Sequence, residues 1–185
     1  MNHTATALLL LDLQRDFLEA NGKMPVGVET AAQVVSLANR LVKHAESVGW
    51  ELIFIRNEFP RTEWLGNLVR NGAAIKGSPG SEIDPRVTIP STSFVFTKSK
   101  SDAFSNPAIE EALVSAGIDQ VVVLGVMAEG CVRATAKSAI SRGFRVTIVS
   151  DAIGSSRGFL WRLGIWSMKN AGAFIQSSSQ ILNAS

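Results

Sequence analysis

Cys131, the only cysteine of the chain, lies where a strand is followed by a helix. Residues 120–124 form an apolar run, and a segment of helical character extends from Cys131 to residue 142. Unpaired N–H groups and the helix dipole favour a thiolate at such a position. Cys131 is therefore a candidate nucleophile, although a lone cysteine is often simply a small buried apolar side chain.

Three acidic or basic residues stand at the ends of other predicted strands: Asp12, Lys98 and Asp151. Ligands of parallel α/β sheets bind beyond the carboxyl ends of the strands, so these side chains are expected near Cys131. A carboxylate such as Asp12 can take the thiol proton, and the Lys98 cation can stabilise both groups by charge. Taken alone, Asp12 is equally a turn cap and Lys98 a solvated lysine. Their combination with Cys131 favours catalysis.

Histidine, the usual base for a cysteine nucleophile, occurs only at His3 and His44. His3 is close to the N-terminus, and His44 lies within a predicted helix, away from the strand ends. Asp12 is therefore the predicted base.

Short apolar runs alternate with helical segments, which is typical of a parallel sheet with helices on both faces. We predict an α/β, three-layer Rossmann-like fold with a mostly parallel six-stranded sheet, in a single domain over residues 1–185. The predicted strands are 6–11, 51–56, 94–97, 120–124, 145–149 and 173–176, and the predicted helices are 29–48, 106–116, 131–142 and 159–170. The stretch 57–91 is rich in Gly, Pro and Ser and is interpreted as a functional loop.

The composition is that of a globular chain of 185 residues, with 46% hydrophobic residues and a net charge of +2. Its basic residues are dispersed, which argues against nucleic acid as a partner. No apolar run approaches the about 20 residues of a membrane span, and the start lacks a signal-peptide pattern. A single cysteine permits no internal disulfide, which fits a reducing compartment. We expect a cytoplasmic protein with no membrane partner.

Several short motifs, in a specific order and spacing, resemble those of the isochorismatase-like superfamily of cysteine hydrolases, which includes nicotinamidases and N-carbamoylsarcosine amidases. They are Leu-Asp-Leu-Gln-Arg-Asp-Phe at 11–17, Lys-Gly-Ser-Pro-Gly-Ser-Glu-Ile at 76–83, Lys98 with Ala103-Phe104, Gly125-Val126, Cys131-Val132 with Thr135-Ala136, and Asp151-Ala152.

The resemblance implies that Asp12, Lys98 and Cys131 form a catalytic triad. Cys131 would attack a carbonyl carbon, release ammonia or an amine, and leave a thioester that water hydrolyses. The resemblance also implies a cis peptide bond between Val126 and Met127. That bond would place the backbone N–H of Met127 beside that of Cys131 as an oxyanion hole.

The chain also departs from the family pattern. Many members have Thr where this chain has Ala128, and Ser where it has Asp102. Nicotinamidases bind a metal through an Asp and spaced His residues after the second strand, where this chain has no histidine. We therefore predict no metal and no cofactor, and we disfavour nicotinamidase activity. True isochorismatases lack the nucleophilic cysteine, so Cys131 favours amide chemistry over vinyl-ether hydrolysis.

The pocket residues are harder to predict, because aromatic residues and methionines more often belong to the core. Phe17, Trp64 and Glu129 are the predicted substrate contacts, and Phe104 and Trp161 are weaker candidates. Glu129 either meets a cationic substrate group or is exposed on its loop.

The leading hypothesis is a metal-independent cysteine hydrolase acting on a small amide or carbamoyl substrate. The alternative is a non-catalytic member of the same fold that binds a small metabolite, which Ala128 and Asp102 motivate. Nucleotide binding is disfavoured, because residues 125–130 lack the G-x-G-x-x-G spacing. The resemblance also implies a homo-oligomer, a dimer or tetramer, with the apolar segment 159–175 as a candidate interface.

Overall fold

The computed structural model describes residues 5–183 and contains a six-stranded sheet with the strand order β3-β2-β1-β4-β5-β6. Every pair of neighbouring strands is parallel. The strands are Thr6–Leu11 (β1), Glu51–Asn57 (β2), Phe94–Lys98 (β3), Gln120–Val126 (β4), Arg145–Gly154 (β5) and Phe174–Gln176 (β6). The predicted α/β class is confirmed, with the sheet entirely rather than mostly parallel.

Seven α-helices accompany the sheet in the part of the chain that the structure describes. They are Arg15–Leu18 (α1), Val28–Val48 (α2), Trp64–Val69 (α3), Pro107–Ser115 (α4), Arg133–Ser141 (α5), Gly158–Asn170 (α6) and Ser178–Leu182 (α7). Among residues 5–183, no helix has both the length and the apolar character needed to cross a membrane.

The leucine run of β1 is buried because both faces of the sheet are covered. Leu8 and Leu10 belong to a core shared with α2. Leu9 and Leu11 belong to a second core on the opposite face, shared with α4 and α5. The strand therefore shows a continuous apolar run instead of an alternating one, and its carboxyl end carries Asp12 to the edge where the other strands also end.

The long stretch 57–91 is partly ordered by short elements. It contains α3 and a 3₁₀ turn at Pro79–Ser81, and single β-bridges pair Phe59 with Ile75 and Gln14 with Ile83. The last bridge ties this stretch to the segment that follows Asp12.

Two predicted boundaries differ in ways that affect the site. β5 continues to Gly154, so Asp151 lies within the strand instead of after it. The predicted helix 131–142 is divided into a π-helical turn, Ala128–Val132, and α5. Cys131 therefore lies inside the turn, before the regular helix begins.

Candidate active site

Asp12 leaves β1 in a left-handed backbone conformation, with φ of 56°. Such a conformation is uncommon for a residue with a Cβ atom. Two backbone hydrogen bonds hold it: Asp12 N–H donates to Ile55 O at 2.8 Å, and Gln14 N–H donates to Asp12 O at 2.8 Å. The carboxylate is thus fixed at the end of the most buried strand.

Lys98 forms a buried ion pair with Asp12. Its Nζ lies 3.0 Å from Asp12 Oδ2, and the side chains are 0% and 1% exposed. The ammonium also donates to Asn57 Oδ1 at 2.8 Å and to Lys100 O at 3.2 Å. These three acceptors match the three N–H bonds of a lysine, so the cation is fully satisfied without water.

Asn57 connects the ion pair to Cys131. Its Oδ1 accepts from Lys98, and its Nδ2 donates to Cys131 Sγ at 3.4 Å. Asn57 is opposite Lys98 in the register of β2 and β3, so sheet pairing alone brings the two residues together. The sequence analysis missed Asn57, although it is a polar residue at the carboxyl end of an apolar strand, the same signal that identified Asp12 and Lys98.

Gln14 holds Asn57 in place. Its amide exchanges two hydrogen bonds of 2.8 Å with the backbone N–H and carbonyl of Asn57, and it also donates to Ser81 O at 2.7 Å. Gln14 is fully buried, so all three bonds are protected from water. They fasten the end of β2 to both the Asp12 turn and the long stretch.

Cys131 is positioned by the π-helical turn and by α6. The Met127 carbonyl accepts from Gly130 N–H at 3.0 Å and from Val132 N–H at 3.2 Å, which closes the turn around Cys131. The peptide bond between Val126 and Met127 is cis, as the resemblance implied. A Cβ atom at Gly164 of α6 would lie 2.6 Å from the Ala128 carbonyl oxygen, so glycine permits this close contact.

The pKa of the Cys131 thiol is raised to about 11, chiefly by burial and also by the Asp12 charge, whereas Lys98 and Asn57 oppose this rise. This corrects the expectation of a thiolate at a helix N-terminus. Burial and the Asp12 carboxylate act directly on the sulfur, and Cys131 lies in the π-helical turn before the regular helix α5 begins. Cys131 is therefore a thiol at rest, and a role as nucleophile would require a base.

Asp12 has the properties of that base. Burial raises the pKa of its carboxyl group, although the Lys98 charge and a hydrogen bond with Cys131 oppose this. The pKa of Lys98 is raised, because attraction to Asp12 and Cys131 outweighs the effect of burial, so Lys98 stays protonated.

A cavity of about 150 Å³ opens beside Cys131. It is smaller than the about 300–1,000 Å³ of typical ligand pockets, which indicates a small substrate. Phe17, Met127 and Glu129, all expected near the substrate, line it. The lining consists of Asp12, Phe17, Met24, Asn57, Phe59, Arg70, Ser101, Val126, Met127, Glu129, Gly130 and Cys131.

Other aromatic candidates lie elsewhere. Trp64 is 70% exposed at the start of α3 and does not line the cavity, because the α3 side chains project away from the core. Phe104 is buried and stacks on Phe144 in the core, with ring centroids 6.1 Å apart. Trp161 lines a separate groove between α2 and β5. These three positions are corrections to the predicted pocket.

The remaining polar candidates have structural contacts. The Asp151 carboxylate accepts from Ser178 N–H and Ser178 Oγ, both at 2.7 Å, and so anchors α7. Asp102 accepts from Phe104 N–H at 3.0 Å and caps a 3₁₀ turn. His44 packs edge-on against Trp50 and does not line the cavity, whereas His3 lies outside the described residues.

Within residues 5–183, no group of three or more His, Cys, Asp or Glu side chains is arranged to hold a metal ion. At the end of β2, next to the stretch where the metal ligands of nicotinamidases were expected, this chain places the Asn57 amide against Cys131.

The family model described as Isochorismatase domain matches residues 6–180, so the chain belongs to the isochorismatase family. A probable inactive nicotinamidase of Arabidopsis thaliana is 27% identical, over 90% of this chain and 89% of that protein. An uncharacterized isochorismatase family protein of Bacillus subtilis is 31% identical, over 80% and 76%. An N-carbamoylsarcosine amidase of Arthrobacter is 29% identical, over 55% of this chain and 39% of that protein.

A solved structure gives the same classification. The pyrazinamidase of Pyrococcus horikoshii, determined in complex with zinc, superimposes with a TM-score of 0.84 at 25% identity, covering 93% of this chain and 98% of that one. This structural similarity agrees with the family membership shown by the sequence.

Proposed function

We propose that this protein is a metal-independent cysteine hydrolase that cleaves the C–N bond of a small amide or carbamoyl compound through a thioester. The observation that carries the proposal is the buried Asp12–Lys98 pair next to Cys131 at one small cavity. Hydrolysis of a non-peptide C–N bond also agrees with the names of relatives, which include an N-carbamoylsarcosine amidase and a pyrazinamidase.

The proposed reaction begins when Asp12 takes the proton of the Cys131 thiol. The raised pKa of Asp12 makes its carboxylate a stronger base, and Lys98 stabilises the thiolate by charge. Sulfur then bonds to the substrate carbonyl carbon, whose oxygen becomes an oxyanion. Asp12 returns the proton to the leaving nitrogen, the C–N bond breaks, and a thioester remains. Water then attacks the thioester carbonyl carbon while Asp12 accepts one of its protons. The C–S bond breaks, the carboxylic acid is released, and Asp12 returns the proton to the Cys131 sulfur, which regenerates the thiol.

We propose that the backbone N–H groups of Met127 and Cys131 donate hydrogen bonds to this oxyanion. Met127 lines the cavity and directly precedes the turn that contains Cys131. Backbone donors that are already in place stabilise developing charge without reorganisation, and the loss of one such donor costs about 2.7–4 kcal/mol.

Release of ammonia from a panel of small amides and N-carbamoyl compounds tests the proposal. The wild-type protein should be active after dialysis against EDTA, and Cys131→Ala should lose activity. Acid-quenched reactions should carry the acyl mass on the peptide that contains Cys131. Equal turnover by wild type and Cys131→Ala, or activity restored only by added metal, would contradict the proposal.

A second candidate function is metabolite binding without turnover. It is favoured by the raised pKa of the resting thiol and by similarity to a probable inactive nicotinamidase. It predicts saturable binding of an amide that stays intact over hours, with no acyl mass on Cys131. A single amide with measurable Cys131-dependent turnover would exclude it.

We also propose that the chain is cytoplasmic and forms a homo-oligomer. In α6, Phe159, Leu163 and Trp166 follow helical spacing and are more than half exposed, at 57%, 54% and 64%. A second copy of the chain would cover this face. Sedimentation should show a dimer or tetramer that Leu163→Glu dissociates, and a wild-type monomer at micromolar concentration would contradict this.

A further inference from the structure

Arg70 lies at the end of α3 and lines the cavity that contains Cys131. Its guanidinium lies over the ring of Phe59, with Cζ 3.6 Å from the ring centroid. Phe59 belongs to the same cavity wall. This contact holds the planar group against an apolar surface beside the nucleophile.

The hydrogen-bond capacity of Arg70 is only partly used. Its Nη2 donates to Asn67 Oδ1 at 3.1 Å and to Glu63 Oε2 at 3.3 Å. Its Nε is buried and has no partner among the described residues. Since the Glu63 side chain is 46% exposed, this ion pair is weak. The guanidinium therefore has hydrogen-bond donors that the described residues do not use.

The neighbouring sequence leaves room for this guanidinium. A Cβ atom at Gly66 would lie 2.8 Å from Nη2 and 2.9 Å from Nη1 of Arg70. Any larger residue at position 66 would therefore push the group away from its present place. Gly66 offers a way to move Arg70 without changing it.

The two acidic side chains that line the cavity, those of Asp12 and Glu129, already have partners in the protein. Asp12 is paired with Lys98, and Glu129 Oε2 accepts from Ser155 Oγ at 2.7 Å. Arg70 is the cationic side chain among the described residues that line this cavity. Its planar N–H groups match the geometry of a carboxylate.

We propose that Arg70 binds a carboxylate carried by the substrate, so that Cys131 acts on a small anionic amide, such as the monoamide of a short dicarboxylic acid. The inference rests on the proposed hydrolase function and specifies its substrate class. Arg70 is a substrate-binding residue and takes no part in proton transfer.

The test compares succinamate with 4-methylpentanamide, a neutral amide with the same number of non-hydrogen atoms. Wild type should prefer succinamate in kcat/KM by at least about tenfold. Arg70→Gln should abolish this preference, and Arg70→Lys should restore part of it because the charge returns without the planar geometry. Gly66→Ala should lower the preference while Arg70 is still present.

Arg61→Gln is the matched control, because Arg61 is an exposed arginine of the same stretch that does not line the cavity. It should keep the preference for succinamate. A wild type that prefers the neutral amide, or an Arg70→Gln variant that keeps the wild-type preference, would overturn the inference while the hydrolase function stands.

Binding of succinamate to Cys131→Ala, measured by calorimetry, separates the two proposals when neither amide is hydrolysed. Binding that weakens at least about tenfold on adding Arg70→Gln would support the anion site and count against hydrolysis of such amides. Absence of succinamate binding, or an affinity that Arg70→Gln leaves unchanged, would overturn the proposed anion site.

Discussion

The Asn57 amide lies between the Lys98 ammonium and the Cys131 thiol, with Nδ2 3.4 Å from Sγ. The same side chain also accepts a hydrogen bond from Lys98 Nζ at 2.8 Å, so one amide contacts both the cation and the sulfur and fixes their relative positions. Its hydrogen bond is one of the two interactions that lower the pKa of Cys131. Asn57 is thus a positioning residue in the proposed reaction.

The Asn57→Leu substitution, which keeps the approximate volume, should slow amide hydrolysis about tenfold or more. It removes the hydrogen bond to sulfur and one acceptor of Lys98. Alkylation of Cys131 by iodoacetamide as a function of pH should show a higher thiol pKa than in wild type. A lower activity without any change in that pKa would assign Asn57 a purely structural role.

Substitutions of the ion pair should move the Cys131 pKa in opposite directions. The Asp12 charge raises this pKa and the Lys98 charge lowers it. Asp12→Asn should therefore give faster alkylation at neutral pH than wild type, although it lacks the base for hydrolysis. Lys98→Met should give slower alkylation. Mass spectrometry of the Cys131 peptide measures both rates, and a shift of the same sign in both variants would contradict the coupling.

The acidic limb of the activity profile should report Asp12. Burial raises the pKa of Asp12, and the base must be deprotonated to act. Activity should thus fall with decreasing pH at a point above the about 3.9 of an ordinary aspartic acid. The kcat/KM of a hydrolysed amide between pH 4 and 8 measures it, with thermal melting at each pH to exclude unfolding. A limb at or below the ordinary value would contradict the assignment.

Breaking the buried pair should be costly for stability. Lys98→Met leaves Asp12 buried without its cation and should lower the free energy of unfolding by about 3–5 kcal/mol. The double variant Asp12→Asn with Lys98→Met should lose less than the sum of the single variants, since the two residues are in contact. Urea unfolding measures these values.

The matched control is the Arg142–Glu110 pair, whose side chains are 30% and 42% exposed. Glu110→Gln should change stability by no more than about 1 kcal/mol. Equal losses at the two pairs would show that burial of the Lys98 pair makes no difference.

The contact between α6 and the nucleophile turn should be sensitive to one methyl group. A Cβ at Gly164 would collide with the Ala128 backbone, whereas a Cβ at Gly158 of the same helix would meet nothing within 4 Å. Gly164→Ala should displace the turn that carries Cys131 and reduce kcat by about tenfold or more, and Gly158→Ala should not. Comparable effects of the two substitutions on kcat would contradict this role for the turn.

The sequence predicted those features that depend on local pattern. Strand ends placed Asp12, Lys98 and Cys131 at one edge of the sheet, and the apolar runs predicted each strand within a few residues except at the end of β5. The position of Trp64 was wrong, because the path of 57–91 depends on tertiary contacts such as the Gln14–Ile83 bridge. The expectation that Cys131 is a thiolate was also wrong. The effects of burial and of Asp12 on its pKa depend on distances in the folded protein, which a local sequence pattern does not contain.

The raised pKa of the resting thiol would protect Cys131 from oxidation when no substrate is bound. Peroxide oxidises cysteine through the thiolate, and the raised pKa of the Cys131 thiol keeps the thiolate form scarce at neutral pH. Proton transfer to Asp12 would produce the reactive sulfur anion only while the substrate carbonyl is there to consume it. The single cysteine would therefore resist irreversible conversion to sulfinic acid between catalytic cycles.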